Sequence, residues 1–220
     1  MAPIIILEDI SIEYPERGKV LDGISLSLNK GEKVGIKGAN GTGKTTLLHI
    51  IDGLLTPDSG RIFLFGKEMK SEEDFREARK KIGFLFQDSD DQLFSPTVED
   101  DIAFGPLNLG WERKRVKEKV EEVIKEFGLE NLRKRFSHTL SYGEKKIVAI
   151  ATVVVMEPEI FLFDEPTTAL DEKTERKIKD FILQQKEKTF IIVSHQDNFL
   201  KEVCNRLYEL KNGKITPIPS

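Results

Sequence analysis

The sequence predicts an α/β protein: a mostly parallel core sheet, an N-terminal antiparallel β region and an inserted helical subdomain. Three observations carry that prediction. The first thirty or so residues alternate apolar and polar, as in Ile10-Ser11-Ile12-Glu13-Tyr14 and Ile24-Ser25-Leu26-Ser27-Leu28, with a break at Pro15 to Gly18. Alternation marks strands with one face on a core and the other in water. Four later runs, Val34 to Ile36, Phe84 to Phe86, Ile160 to Phe163 and Phe190 to Val193, are apolar throughout, as strands covered on both faces by helices are. Between the second and third of these runs the pattern turns helical.

Taken in order, the alternating region comes first and the strand at Val34 follows. Leu47 to Ile51 then reads as a short helix that stops near Gly53. Val116, Val120, Val123, Ile124 and Phe127 recur at helical spacing inside a heavily charged segment. Glu112 to Glu126 carries six basic and five acidic side chains, so it reads as a solvated amphipathic face rather than a nucleic-acid patch. Residues 88–157 form the expected helical insertion, and 1–87 with 158–220 the expected core. Near the C-terminus, Asn212-Gly213 between β-prone runs reads as a tight hairpin turn.

Composition narrows the possible functions. The 220 residues carry 34 basic and 38 acidic side chains, a net charge of −4, and this mild acidity argues against a general nucleic-acid binder. Cys204 is the single cysteine, so no intrachain disulfide can form. The longest mostly apolar stretch, Ile147 to Met156, falls well short of the roughly 20 residues a spanning helix needs. Ile4 to Leu7 is apolar, but its flanks are laid out wrongly for a signal peptide.

The chemistry begins at Gly38-Ala39-Asn40-Gly41-Thr42-Gly43-Lys44-Thr45, which follows a strand and opens a helix. Polyphosphate oxygens need many donors at once; glycines let a loop wrap so that its N–H groups point inward, and the helix dipole adds positive potential. Lys44 is expected at the β- and γ-phosphates, the Thr45 hydroxyl on Mg2+, and Thr46 at the α-phosphate. The loop therefore marks a P-loop nucleoside triphosphate site.

Mg2+ on a triphosphate also needs a carboxylate on a neighbouring strand, and Phe161-Leu162-Phe163-Asp164-Glu165 ends in two. Asp164 is expected to hold the metal, directly or through water, and Glu165 to orient and deprotonate an attacking water. The other strands end in Gln87 and in Ser194-His195. Ligands bind at the carboxyl edge of an open parallel sheet, so all four strand ends should converge on one crevice. That makes Gln87 a candidate metal or water ligand and His195 a candidate γ-phosphate contact.

Leu140-Ser141-Tyr142-Gly143-Glu144 opens a long helix and locally forms a capping box between Ser141 and Glu144. With the phosphate loop, the Asp-Glu pair, Thr168-Ala169-Leu170-Asp171 and the late histidine in this order, essentially the whole chain resembles the ATP-binding cassette (ABC) ATPases. The resemblance makes Gly38 to Thr45 the Walker A loop, Gln87 the Q-loop, Leu140 to Glu144 the signature and Ile160 to Asp164 the Walker B strand. It makes Glu165 the catalytic base, Ala169 to Asp171 the D-loop and His195 the switch histidine; Tyr14 matches the aromatic residue that stacks on adenine. In this family two cassettes face head to tail. Each nucleotide then lies between one phosphate loop and the partner's signature helix, whose Ser141 hydroxyl and Gly143 N–H offer donors suited to a γ-phosphate and left unused in a lone chain. The signature departs from the common form at Tyr142, where glycine is usual, and at Glu144, where glutamine is usual. Crowding by the first and added negative charge from the second imply slow turnover.

The stretch Phe86 to Gly110, with Asp90-Asp91-Gln92-Leu93-Phe94 and Phe104-Gly105-Pro106-Leu107-Asn108, is similar to the ATPases of cobalt and energy-coupling-factor importers, which take up metal ions or vitamins. In that group the segment after the Q-loop glutamine touches a transmembrane coupling subunit. The resemblance thus implies a peripheral ATPase at the cytoplasmic face of the membrane. Its partners would be ATP, a second cassette, copy or paralogue, and a membrane subunit. Many such ATPases continue well past the switch histidine, whereas 25 residues follow His195 here, which puts dimerisation without nucleotide in question. A soluble non-transport cassette is the alternative. Translation factors carry two cassettes and repair ATPases a long coiled-coil insertion, and neither is present. A GTPase would need Asn-Lys-x-Asp after the phosphate loop, while Asn29-Lys30-Gly31-Glu32 lies before it.

Overall fold

The computed structural model describes residues 2–219. In chain order it contains β1 (Ile5–Tyr14), β2 (Gly18–Leu28), β3 (Lys33–Lys37), α1 (Lys44–Ile51), β4 (Ser59–Leu64), β5 (Lys67–Glu68), α2 (Glu72–Arg79) and β6 (Ile82–Leu85). Then come α3 (Val98–Asn108), α4 (Arg113–Phe127), α5 (Tyr142–Val154), β7 (Ile160–Asp164), α6 (Glu172–Gln184), β8 (Thr189–Ser194), α7 (Asp197–Val203), β9 (Arg206–Lys211) and β10 (Lys214–Ile218). Two sheets result. One is antiparallel in the order β2-β1-β4-β5; the other has the order β10-β9-β3-β8-β7-β6 and is parallel except for β10.

The alternating region pairs as expected, but its alternation changes parity partway. Ile5 and Leu7 point inward, and so do Ile10 and Ile12. Strict period two would put the second pair in water. A bulge absorbs the extra residue: Asp9 takes φ 52°, and the register with β2 shifts between Leu7 and Ile10. The Ser25 hydroxyl accepts the Asp9 N–H at 3.0 Å, which satisfies the group the bulge removes from the ladder.

In the core sheet every residue of β7 and β8 is buried, as their unbroken apolar runs require. Successive residues divide between two cores. Ile160, Leu162, Ile191 and Val193 pack toward α1 and the antiparallel sheet, whereas Phe161, Phe163, Phe190 and Ile192 pack toward α5, α6 and α7. The strand expected at Phe84 to Phe86 ends at Leu85, leaving Phe86 and Gln87 beyond the ladder. Asn212 and Gly213, at φ 49° and 72°, close a two-residue hairpin between β9 and β10.

Residues 88–157 are mostly helical, and all five spaced apolar residues of α4 are buried. Their core is continuous with the sheet, because Val120, Ile124, Val148 and Phe163 belong to one cluster. The α5 helix lies so close to β6 that a Cβ on Gly83 would stand 2.3 Å from the Val153 Cγ1. Between Gly53 and Phe84 no element is expected from the sequence, yet β4, β5 and α2 are there. The pairing of β4 with β1 makes a strand of a segment with only two buried apolar residues, Ile62 and Leu64, and a Ser71–Asp74 capping box starts α2.

Candidate functional site

The loop after β3 wraps back over the start of α1. Gly43 sits at φ 100°, and a Cβ there would come within 2.7 Å of Val20 Cγ1, so a side chain is excluded by both backbone and space. The α1 helix begins at Lys44 without a capping side chain and without an acidic residue in its first turn. Its first N–H groups and the positive end of its dipole are therefore directed at whatever enters the cleft.

Lys44 is buried and folded onto its own loop. Its Nζ donates to the Gly38 carbonyl at 2.8 Å and the Ala39 carbonyl at 3.2 Å. It also lies 3.3 Å from Glu165 Oε1. Thr42 N–H donates to the Ala39 carbonyl at 3.3 Å, closing the turn from inside. Thr45 Oγ1 donates to Asp164 Oδ2 at 2.6 Å, tying the helix start to the end of β7. The other Asp164 oxygen is buried with no hydrogen-bond partner, and Glu165 Oε1 has only the out-of-line ammonium of Lys44.

Such orphaned carboxylate oxygens are costly to bury, and they fit a divalent cation and its water shell beside the Thr45 hydroxyl. Among the described residues no group of three or more His, Cys, Asp or Glu side chains could cage a metal. A cation here would share its ligands between protein and nucleotide, as Mg2+ does at triphosphates. Burial raises the Asp164 carboxyl above its ordinary range, against the lowering hydrogen bond from Thr45. Burial would raise Glu165 as well, but Lys44, then His195 and Thr168, more than offset it and leave the carboxyl below its usual value.

Glu165 takes φ 46°, a strained conformation for a branched-chain-free but Cβ-bearing residue, at the point where the chain leaves the sheet. Its Oε2 is surrounded by donors: Thr168 Oγ1 at 3.0 Å, Ser194 Oγ at 3.1 Å, the His195 N–H at 3.3 Å, with His195 Nδ1 at 2.8 Å. The strand order places β8 between β3 and β7. His195, at the end of β8, therefore stands beside the carboxylates that end β7.

A cleft of about 740 Å³ opens over this edge, lined by Tyr14, Asn40, Gly41, Gly43, Lys44, Thr45, Thr46, Gln87, Asp164 and Glu165. Pro15, Glu16, Arg17 and Val20, which sequence reasoning missed as site residues, complete the lining beside Tyr14. Gly38, Ala39 and Thr42 hold the loop from beneath, and His195 reaches the cleft through Glu165.

Ser141 and Gly143 are not in this cleft. They line a separate hollow with Asp171, Lys173, Thr174 and Lys177. The expectation that their donors stand unused is corrected for Ser141. Its hydroxyl donates to Glu144 Oε2 at 2.9 Å and accepts the Glu144 N–H at 3.3 Å, while its own N–H donates to the same carboxylate at 2.8 Å. The Glu144 carboxylate is thereby drawn back onto the helix start, and those bonds from Ser141 hold it below its ordinary range.

The ABC transporter family matches this chain over residues 21–168. The chain is an ABC ATPase. A protein of Brucella suis biovar 1 (strain 1330), described as a provisional ABC transporter ATP-binding protein, is 47% identical over 99% of the cassette and 90% of its own length. The energy-coupling factor transporter ATP-binding protein EcfA of Methanothermobacter thermautotrophicus is 40% identical over 95% of the cassette and 68% of its own length. Among solved structures, cbiO1 from Clostridium perfringens, part of the ABC transporter complex cbiONQ, superposes with a TM-score of 0.87 at 34% identity, covering 98% of the cassette and 88% of cbiO1. The cassette MJ0796, solved as a dimer in a post-hydrolysis state with ADP and Pi, superposes at 0.88 with 26% identity over 98% of this chain and 99% of MJ0796. The cassette described here is an ATP hydrolase and an ATP-binding subunit of a transporter. Among its described residues no helix is long and apolar enough to cross a membrane.

One buried group of the cassette was not expected. Lys146, on α5, is wholly buried and donates to the Phe86 and Gln87 carbonyls. Burial lowers its ammonium to about 8, although Asp164, Asp88 and Glu165 act in the opposite sense. Helical spacing held the signal: Ala149, Ile150 and Val153, three, four and seven residues on, are all core residues.

Proposed function

We propose that this chain is the ATP-binding and hydrolysing subunit of an importer of the energy-coupling-factor or cobalt type, powering uptake of a metal ion or vitamin through a membrane partner. The observation that carries the importer reading is an aromatic pair in the segment after Gln87. Phe94 and Phe104 stand edge to face with centroids 4.7 Å apart, and they are 64% and 43% exposed, with Leu107 exposed nearby. A paired apolar patch held open to water is the mark of a surface that another protein covers. The likeness to EcfA and to the cbiO1 cassette supports the same partner class.

In this reading ATP enters the cleft with adenine against the Tyr14 ring and its phosphates among the N–H groups of Asn40 to Thr46. Lys44 leaves Glu165 for the β- and γ-phosphates, which exchanges one anion for a more strongly charged one. Thr45, Asp164 and Gln87 would hold Mg2+, which would supply positive charge against the triphosphate. Glu165, released by Lys44, accepts the proton of the attacking water through Oε1 as Oε2 stays fixed by Thr168 and Ser194. His195 holds Glu165 from the other side and reaches toward the γ-phosphate. Ser141 and Gly143 of a second cassette, a copy or a paralogue, close the site from across the interface. Closing such an equilibrium from 1:99 to 99:1 takes about 5.5 kcal/mol of differential binding, within reach of several charge-assisted hydrogen bonds. The protein would then sit peripherally on the cytoplasmic face of the membrane and bind no nucleic acid.

Purification of the native complex tests this. Recovery of a transmembrane coupling subunit, and of a bound metal ion or vitamin, is the expected result. Recovery of ribosomes or repair proteins instead would establish the other reading, a soluble non-transport cassette.

A further inference from the structure

Gln87 lines the nucleotide cleft, yet its backbone is held by another part of the molecule. Phe86 and Gln87 lie beyond the end of β6, so no neighbouring strand pairs with them. Their polar groups are taken up by α5 and its attachments instead. The Phe86 and Gln87 carbonyls accept from Lys146 Nζ at 3.2 and 2.7 Å. The Phe86 N–H donates to Gln92 Oε1 at 3.2 Å, and Gln92 Nε2 in turn donates to the Ala149 carbonyl and Thr152 Oγ1, each at 2.9 Å. The strap that presents Gln87 is thus pinned on both sides to one helix.

Packing does not account for a lysine here. On its helix face Ala149, Ile150 and Val153 follow Lys146, a surface an apolar side chain would continue, and the half-exposed Tyr142 ring one turn before it lies 6.0 Å from Nζ, too far to satisfy the ammonium's protons. A wholly buried ammonium is costly unless its protons are satisfied, and its protein acceptors are the two strap carbonyls. The same helix begins at Tyr142, capped by Ser141. We infer that Lys146 is a positioning residue for ATP hydrolysis: it sets where Gln87 stands in the cleft and joins that residue to the helix that carries Ser141 and Gly143. This rests on the reading of Gln87 as a ligand of the nucleotide–metal site.

A double-mutant cycle in the full chain tests it, using Lys146→Met, Gln87→Ala and the pair, with kcat and KM for MgATP and the thermal midpoint measured for each. Lys146→Met is expected to lower kcat about tenfold while KM moves less than about threefold. A general loss of packing would move the thermal midpoint without that split. In the Gln87→Ala background the same substitution is expected to cost no further kcat, because residues acting through one group are non-additive. If Gln87→Ala is impaired and the two losses multiply, or if folded Lys146→Met keeps the parent kcat, the inference about Lys146 fails alone. If Gln87→Ala itself keeps the parent kcat, the reading of Gln87 fails first and takes the inference with it. Should Lys146→Met not fold, Gln92→Leu enters the cycle in its place with the same expected outcome and the same refuting one.

Discussion

His195 Nδ1 lies 2.8 Å from Glu165 Oε2, while Glu165 Oε1 faces Lys44 Nζ at 3.3 Å. The two oxygens of one carboxylate are thus committed to different parts of the molecule: Oε2 to the end of β8, Oε1 to the phosphate loop. Lys44 and Glu165 offset one another's charge in a site where neither could be buried alone, although Oε1 receives no hydrogen bond and the Lys44 protons go to the Gly38 and Ala39 carbonyls. In the proposed reading, a polyphosphate draws Lys44 away and frees that oxygen to take a proton from the attacking water.

Glu165→Gln is isosteric, removes the base and leaves Lys44 without its competing anion. ATP affinity is expected to hold or rise, with hydrolysis falling by about 10²–10⁴. Size-exclusion chromatography with ATP and Mg2+ should then show a trapped, nucleotide-bound dimer. Parent-level ATPase activity in this variant would refute the assignment of Glu165.

Gly43→Ala places a methyl group 2.7 Å from Val20 Cγ1 on a backbone at φ 100°. The loop must shift to relieve it, at a cost of about 1–3 kcal/mol. Its N–H groups then no longer converge, and MgATP affinity should drop at least about tenfold. A fluorescent ATP analogue titrated against parent and variant reads this directly.

Asp52 is buried at the end of α1, 6% exposed, and burial pushes its carboxyl from 3.8 to about 7, with Arg79 opposing and Glu72 assisting. Because the folded value is raised, the folded protein holds more protons than the unfolded chain between about pH 4 and 7. Stability from this group therefore falls as pH rises through that window and levels off above it. Asp52→Asn removes the ionisation, so its stability relative to the parent should improve by about 1–3 kcal/mol between pH 5 and pH 8. Urea unfolding at the two pH values measures the change, and a difference independent of pH would show that Asp52 does not titrate there.

Tyr14 lines the same cleft as the phosphate loop. Stacking on a base contributes about 1–3 kcal/mol, so Tyr14→Ala should weaken ATP binding by about 5- to 100-fold and Tyr14→Phe should leave it near the parent value. Equal affinities for all three proteins would remove Tyr14 from the site.

Much of the site was legible because its chemistry is local. The phosphate loop works through consecutive N–H groups, so Gly38 to Thr45 shows its purpose in eight adjacent letters. The Ser141–Glu144 capping box and the Asn212-Gly213 turn are equally local and appear where expected. Gln92 and Lys146 were less legible, since a polar residue is recognisable as a pin only when its partners, across loop and helix, are known.

The residues by themselves determined which strands are buried on both faces, where triphosphate chemistry is encoded and which carboxylates accompany it, because each depends on pattern or contact within one short segment. Only the tertiary structure decided that β8 runs between β3 and β7, that Lys44 and Glu165 neutralise one another, and that Ser141 stands outside the cleft. Those relations join positions that can be more than a hundred residues apart. Their distances follow from strand order, register and a shared core, which the free energy of the whole chain selects and no local pattern specifies.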